Sequence, residues 1–124
     1  DEFARRITAS PGNKDYGSFT VFTNFYSKPK YLFKISPSCF YPQPKVSSAI
    51  ISLKLHAPPQ IPHEDFFKLT RTAFGQRRKM MRSTLKNDYP AITSALEKLN
   101  LNPEARPESL SLQNFIDLFL ELCD

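Results

Sequence analysis

The sequence contains no tryptophan, only three glycines and two cysteines, and no long hydrophobic run. Its glycines, Gly12, Gly17 and Gly75, form neither a GxGxxG nor a GxxxxGKS pattern. A loop that cradles nucleotide phosphates needs such glycines, because the backbone must approach the phosphate closely. Any nucleotide-like cofactor would therefore bind mostly outside this chain. No stretch approaches the roughly 20 apolar residues that span a bilayer, so we expect no membrane partner.

Cysteine and histidine are too sparse for a metal site or a disulfide framework. Cys39 and Cys123 form no CxxC motif, and neither His56 nor His63 has a partner at metal-ligand spacing. We therefore expect no metal, and two free thiols in a reducing cytoplasm. Cys39 has no histidine positioned to activate it, which argues against a cysteine nucleophile.

Aromatic residues are plentiful, with 11 Phe and five Tyr among 124 residues, and 40% of the chain is hydrophobic. This content supports a packed interior, either in one domain or in two small units that share a core. The composition predicts a folded, soluble protein and excludes a disordered polyelectrolyte.

The net charge of +5 is unevenly distributed. Residues 64–87 contain seven basic and two acidic residues, a net +5, whereas residues 88–124 contain two basic and seven acidic residues, a net −5. We call 68–86, which has no acidic residue, the basic segment. Its cations would attract a polyanion, although a charge run is often only a solvated surface. The cations of the basic segment are Lys68, Arg71, Arg77, Arg78, Lys79, Arg82 and Lys86.

The first half of the chain has the pattern of mixed helix and strand. Residues 19–26 are ambiguous, because β-propensity favours a strand while the aromatic residues fall at helical spacing. Three prolines within 36–45 predict a structured loop. The remaining elements predicted here are a helix over 2–9, a loop over 10–17, and strands over 31–35 and 46–55.

The second half predicts helices only, after a stiff proline-rich connector over 56–62. Ser111 is the expected N-cap of the last helix. The predicted helices span 63–74, 77–86, 91–99 and 111–122. Two strands make a sheet too narrow to be stable alone, and the chain begins within a predicted helix. We therefore expect a fragment whose sheet is completed by preceding strands.

The predicted helix over 77–86 would organise the basic segment. Arg71, Arg78 and Arg82 are spaced i, i+7, i+11 and would share one exposed helical face. Met81 and Leu85 would lie on the opposite face and enter the core.

The loop between the two strands has the sequence PSCFYPQPKVSSA over 37–49, of the form PxxFxPxPKVxSA. Prolines fix φ and remove N–H donors, so this loop would be rigid without regular hydrogen bonding. It could hold the Phe40 ring in a set orientation, as an enzyme needs for stacking a base extruded from its helix. The alternative is that Phe40 is a core residue and the prolines merely end a strand.

The chain resembles, over essentially its whole length, the small-subunit ribosomal RNA adenine N6,N6-dimethyltransferases of the KsgA type, and four segments in order along it carry the resemblance. They are PGNKDYG at 11–17, the Phe40 motif, FGQRRKMMRSTL at 74–85 and RPESLSLQNF at 106–115. The related erythromycin-resistance methylases share the Phe40 motif but lack the FxQRRK helix. This difference favours the small-subunit enzyme.

The resemblance implies an α/β fold. Residues 1–58 would be the C-terminal part of a Rossmann-like methyltransferase domain, with two strands plus helices, including a helix over 19–26. Residues 59–124 would be a small all-helical RNA-binding domain. The implied enzyme uses S-adenosylmethionine to dimethylate two adjacent adenosines near the 3′ end of small-subunit rRNA, within a pre-ribosomal small subunit. This chain alone would be inactive, because the family's cofactor loop and catalytic Asn-Leu-Pro-Tyr motif lie upstream.

The resemblance also implies roles for individual residues. Phe40 matches one of the aromatic rings that hold the target adenine, whereas Ser47, where such enzymes often carry Asp, receives no role. Arg77 has an alternative role as an internal ion-pair partner of Glu108. From charge and position, and not from the resemblance, the residues expected to contact RNA phosphates are Lys45, Arg71, Arg77, Arg78, Lys79, Arg82 and Lys86.

Two other functions stay open. One is a free-standing RNA-binding or ribosome-assembly module without catalysis. The other is an erythromycin-resistance-type methylase that acts on large-subunit rRNA.

Overall fold

Two short helices open the chain in the computed structural model, which describes residues 1–123. Helix α1 spans Glu2–Thr8 and helix α2 spans Ser18–Tyr26. Val21 and Phe25 of α2 are fully buried, and their i, i+4 spacing explains why the ambiguous 19–26 stretch is a helix. The Thr20 hydroxyl donates to the Arg6 carbonyl and accepts from the Gly17 N–H, which fixes α2 against α1.

The two predicted strands form an antiparallel hairpin. Strand β1 spans Ser27–Ile35 and β2 spans Ser48–Leu55, with Ser27 opposite Leu55 and Ile35 opposite Ser48. β1 begins at Ser27 and not at residue 31 as predicted. Pro29 lacks an N–H donor but does not end the strand, because one edge of β1 is unpaired in this two-stranded sheet. A bulge between Tyr31 and Phe33 shifts the register.

The hairpin leaves much apolar surface uncovered among the described residues. Phe33 and Ile50 pair across one face, and both side chains are exposed, as are Leu53 and Leu55 on the opposite face. A two-stranded sheet is marginal in water without further strands or packing. The expectation that other strands complete this sheet stays a prediction.

Helices make up the second half of the described chain. The longest two, α3 and α6, have the lengths that their apolar periodicity predicts. Ser111 caps α6 as expected, because its Oγ accepts from the Asn114 N–H at 3.1 Å. The four helices are α3 (His63–Phe74), α4 (Met81–Thr84), α5 (Ile92–Lys98) and α6 (Leu112–Leu122).

The predicted basic helix over 77–86 is wrong. Helix α3 ends at Phe74 with Gly75 as its C-cap, residues 75–79 form turns, and only the single turn of α4 follows. The chain changes direction because Met80 is extended and the Met81 N–H donates to the Ala105 carbonyl at 2.8 Å. Arg71, Arg78 and Arg82 therefore do not share one helical face. Met81 and Leu85 are fully buried, as predicted.

One hydrophobic core joins the two halves of the described chain. Phe66, Phe115 and Leu118 are fully buried in it, and Phe25 of α2 packs on Phe66 with 5.3 Å between ring centroids. Tyr16 and Val21 also belong to this core. The predicted domain boundary at residue 58 stays a prediction, and the core extends across it.

Candidate nucleic-acid interface

The Phe40 loop is ordered by local contacts at its start. Residues Pro37–Cys39 form a 3-10 turn after Ser36, whose hydroxyl accepts from the Ser38 N–H at 3.4 Å. The Phe40 N–H donates to the Pro37 carbonyl at 3.2 Å, and the Tyr41–Pro42 peptide bond is cis. The loop is thus built from turns and prolines, without ladder hydrogen bonds of its own.

Phe40 projects from the hydrophobic core instead of entering it. Its backbone is extended, the residue is 42% exposed, and it lies outside the buried core cluster. Within residues 1–123, no aromatic ring packs against it. The geometry is that of a presented ring, which an extruded base could stack upon.

Other residues of the same loop differ in accessibility. Lys45 is exposed at a bend, and the neighbouring Ser47 carbonyl accepts a 2.8 Å hydrogen bond from the backbone nitrogen of Asp1. This contact ties the loop end to the start of α1. Cys39 is an exposed free thiol.

Two cations of the basic segment lie at the turn after α3. Arg78 and Lys79 are both exposed, and the Lys79 N–H donates to the Gln76 carbonyl at 3.0 Å, which closes the turn. Neither side chain has a carboxylate within 4 Å in the described part of the chain. Both are therefore free to contact an anion.

Arg77 points the opposite way, into the protein. Its Nη2 donates to the Tyr16 carbonyl at 2.6 Å and lies 3.5 Å from a Glu108 carboxylate oxygen. Its guanidinium carbon lies 5.9 Å from the centroid of the Phe74 ring. Arg77 therefore forms the internal ion pair with Glu108 that was expected as the alternative to RNA binding.

The other cations are placed individually. Arg82 lies 3.9 Å from Glu104, a half-exposed and weak pair. Arg71 is exposed on α3, where its Nε donates to the Phe67 carbonyl at 3.3 Å. Lys86 is exposed in the turn after α4. The structure thus leaves Arg71, Arg78, Lys79 and Lys86 more available than Arg77 or Arg82.

Exposed aromatic residues on α2 were missed by the sequence reasoning. Phe19 and Phe22 are both more than two-fifths exposed. The available signal was that Val21 widens the apolar arc of Phe19, Phe22, Phe25 and Tyr26 to about 160° of the helix circumference, more than the roughly 100° of one buried stripe.

The described residues do not form a cradle for S-adenosylmethionine. Gly12 has φ of 89° in a surface loop with no atom within 4 Å of an added Cβ, while Gly75 packs against backbone carbonyls of α3. Residues 1–123 contain no group of three His, Cys, Asp or Glu side chains that could hold a metal ion. No helix in the same range is long and apolar enough to cross a membrane.

A sequence profile of the ribosomal RNA adenine dimethylases matches residues 1–124. The chain belongs to this family. The match confirms the family predicted from the Phe40 motif and the FGQRRK segment.

Curated relatives of this family member carry the name ribosomal RNA small subunit methyltransferase A. One from Protochlamydia amoebophila is 58% identical over 125 residues, covering 98% of this chain and 44% of the relative. One from Chlamydia trachomatis serovar L2 is 48% identical over 131 residues, covering 100% of this chain and 47% of the relative. The chain therefore spans about half the length of the curated relatives it matches.

Solved structures confirm the predicted methyltransferase fold. A dimethyladenosine transferase from Plasmodium falciparum superimposes with a TM-score of 0.81 at 24% identity, covering 98% of this chain and 54% of the other. The 23S rRNA methyltransferase ErmE superimposes with a TM-score of 0.72 at 25% identity, covering 99% of this chain and 52% of the other.

Proposed function

We propose that this chain is the C-terminal portion of an S-adenosylmethionine-dependent rRNA adenine N6,N6-dimethyltransferase. The proposed substrate is a pair of adjacent adenosines near the 3′ end of small-subunit rRNA, within a pre-ribosomal small subunit in the cytoplasm. Family membership supports the reaction, and relatives of 48–58% identity with small-subunit names support the substrate.

The observation that carries this proposal is the presentation of Phe40. The ring extends from a proline-rich loop, is 42% exposed and has no aromatic partner among residues 1–123. A base taken out of a helix loses stacking energy, and an aromatic side chain restores about 1–3 kcal/mol of it. Phe40 would thus hold the target adenine while its amino group is methylated.

The exposed cations would position the RNA without selecting its sequence. Arg71, Arg78, Lys79 and Lys86 would contact phosphates, and Lys45 would lie near the phosphates flanking the extruded base. Arg77 and Arg82 are already engaged with carboxylates, so their share in RNA binding would be smaller.

S-adenosylmethionine would supply the methyl group from a site that this chain does not build. The described residues do not fit the cofactor: Gly12 borders open space, and Gly17 and Gly75 border the Arg77 side chain and α3 carbonyls, so none of them opens a pocket for it. The contribution of this chain would be to stack the base and hold the RNA.

The test is methyl transfer by the full-length protein bearing Phe40→Ala, Phe40→Leu or Phe40→Tyr. We expect Ala and Leu to reduce kcat/KM on small-subunit particles by about tenfold or more, and Tyr to retain most activity because it keeps a ring. The melting temperature should change little in all three, because Phe40 lies outside the core.

Other outcomes distinguish the alternatives. An equal loss of thermal stability would identify Phe40 as a core residue. Methylation of large-subunit rRNA but not of small-subunit particles would favour the activity named for ErmE. RNA binding by the full-length protein without any methyl transfer would favour a non-catalytic assembly module.

A further inference from the structure

An open groove lies between α2 and α3, on the side of the molecule where aromatic rings reach the surface. Its volume is about 550 Å³, within the range of roughly 300–1,000 Å³ typical of small-ligand sites. Phe19 and Phe22 line it from α2, and Phe67 lines it from α3, with Glu64 and Arg71 at its polar positions. We call it the aromatic groove.

The rings of the aromatic groove are packed together but remain accessible. Phe19 is 41% and Phe22 44% exposed. Their ring planes differ by 23° with 6.1 Å between centroids, and Phe22 contacts the Phe67 ring at 5.0 Å. Contact with one another holds the rings in place, so their outer faces form a prepared apolar platform at little further entropic cost.

Cations flank this platform on both sides. Arg71 lies at the α3 side of the aromatic groove. A second cleft of about 340 Å³ shares Ser18 and Phe19 with the groove and adds three cations, Arg6, Lys14 and Arg77, and one carboxylate, Asp15. Arg6 and Arg77 have carboxylate partners, but neither Lys14 nor Arg71 has a carboxylate within 4 Å in the part of the chain that is described.

We infer that the aromatic groove binds unpaired bases of single-stranded RNA, with Lys14 and Arg71 on the flanking phosphates. Proteins bind single strands by combining exposed rings, on which any base can stack, with nearby cations that contact the backbone phosphates. The Glu64 carboxylate can accept from the exocyclic amino group of a base. This inference rests on the proposed function, and adds a second RNA contact distinct from the Phe40 loop.

The experiment measures the affinity of the full-length protein for an unstructured, fluorescently labelled RNA oligonucleotide by anisotropy. The double variant Phe19→Leu/Phe22→Leu keeps apolar bulk but removes the rings, and Phe19→Tyr/Phe22→Tyr keeps the rings. Leu120→Ala, which removes an exposed apolar side chain from α6, is the matched control. We expect the Leu pair to bind about tenfold or more weakly, and the Tyr pair and the control to bind within about twofold of the unmodified protein.

Two results would overturn the inference. One is single-stranded RNA affinity that is equal in the Leu pair and the unmodified protein, which would mean that the rings of the groove do not stack on bases. The other is equal loss in the Tyr and Leu pairs. Methyl transfer by the unmodified protein is recorded in parallel. If RNA binding does not depend on the rings but methyl transfer occurs, the groove inference is wrong and the proposed function is unaffected. RNA binding that depends on the rings, in a protein that shows no methyl transfer, would support the groove and contradict the proposed function.

Discussion

The guanidinium of Arg77 donates a 2.6 Å hydrogen bond to the main-chain carbonyl of Tyr16, 61 residues earlier in the chain. Tyr16 is buried in the core, and its own hydroxyl donates to the Leu110 carbonyl at 2.6 Å. The two residues thus connect the loop before α2, the turn after α3 and the segment before α6. An arginine from the most basic stretch of the sequence is used to hold the fold.

Removing the Arg77 side chain should therefore affect stability more than RNA binding. We expect Arg77→Ala to lower the free energy of unfolding by about 1–3 kcal/mol, because the Tyr16 carbonyl loses a charged donor. The measurement is denaturant unfolding of the full-length protein. Arg78→Ala is the matched control, and a change within about 0.5 kcal/mol is expected for its exposed side chain. Equal stability of the two variants would contradict a structural role for Arg77.

The adjacent exposed cations should show the reverse pattern. We expect Arg78→Ala/Lys79→Ala to leave stability unchanged and to weaken RNA binding. The slope of log affinity against log salt should fall by about one unit for each phosphate that the protein no longer neutralises. The measurement is a salt titration of RNA binding by the full-length protein.

The control for that titration is Lys98→Ala. Lys98 is also exposed but lies on α5, where it pairs with Glu121 at 3.0 Å. Its removal should leave both affinity and salt slope unchanged. A slope that changes equally in the Lys98 variant would mean that net charge, and not the turn after α3, governs binding.

Local sequence patterns predicted the elements whose stability is local. Helix α6 follows from its Ser111 cap and apolar stripe, and the hairpin follows from two β-prone runs around a proline-rich loop. The prediction of a helix over 77–86 was wrong because the spacing of its apolar residues, Met81 and Leu85, is also that of a helix. The Met81 N–H instead donates to the Ala105 carbonyl, a partner distant in sequence that local periodicity cannot predict.

The candidate site was predictable in kind but not in geometry. The prolines around Phe40 indicated a rigid loop, yet the exposure of the ring depends on which surfaces the rest of the fold covers. Charge alone predicted RNA contact for both Arg77 and Arg78, although the side chains of adjacent residues in a turn point in different directions. Phe22 and Phe25 are equally apolar, but only Phe25 meets the α3 core residue Phe66.

The N-cap of α6 gives a prediction about local stability. Ser111 and Asn114 exchange reciprocal hydrogen bonds of 3.1 Å between side chain and backbone. We expect Ser111→Ala to lower the free energy of unfolding by about 0.5–2 kcal/mol, because the Asn114 N–H loses its acceptor. Thermal unfolding measures it, with Ser94→Ala on the exposed side of α5 as the control. The control should be neutral or slightly stabilising, since Ala favours helix interiors; matching losses would exclude the cap as the cause.

Tyr16 gives a prediction about alkaline pH. Burial raises the pKa of Tyr16 from 10.0 to about 12, so between those values the unfolded chain releases a proton that the folded protein retains. Stability should consequently fall with rising pH across this window, by about 1.4 kcal/mol per pH unit for this group, and be unaffected by it at lower pH. Burial also raises the pKa of Tyr89, and negative charge on Cys123, Asp88 and Asp65 raises it further, so part of the slope belongs to Tyr89.

The variant Tyr16→Phe separates the contribution of the Tyr16 hydroxyl from that of Tyr89. Unfolding titrations of this variant should show a shallower alkaline decline than the unmodified protein. Below pH 10, where the Tyr16 hydroxyl is protonated in both states, they should also show a loss of about 1–3 kcal/mol, because the Leu110 carbonyl is left without its donor. A decline that is as steep in the variant would show that the Tyr16 hydroxyl does not control the alkaline limit of the fold.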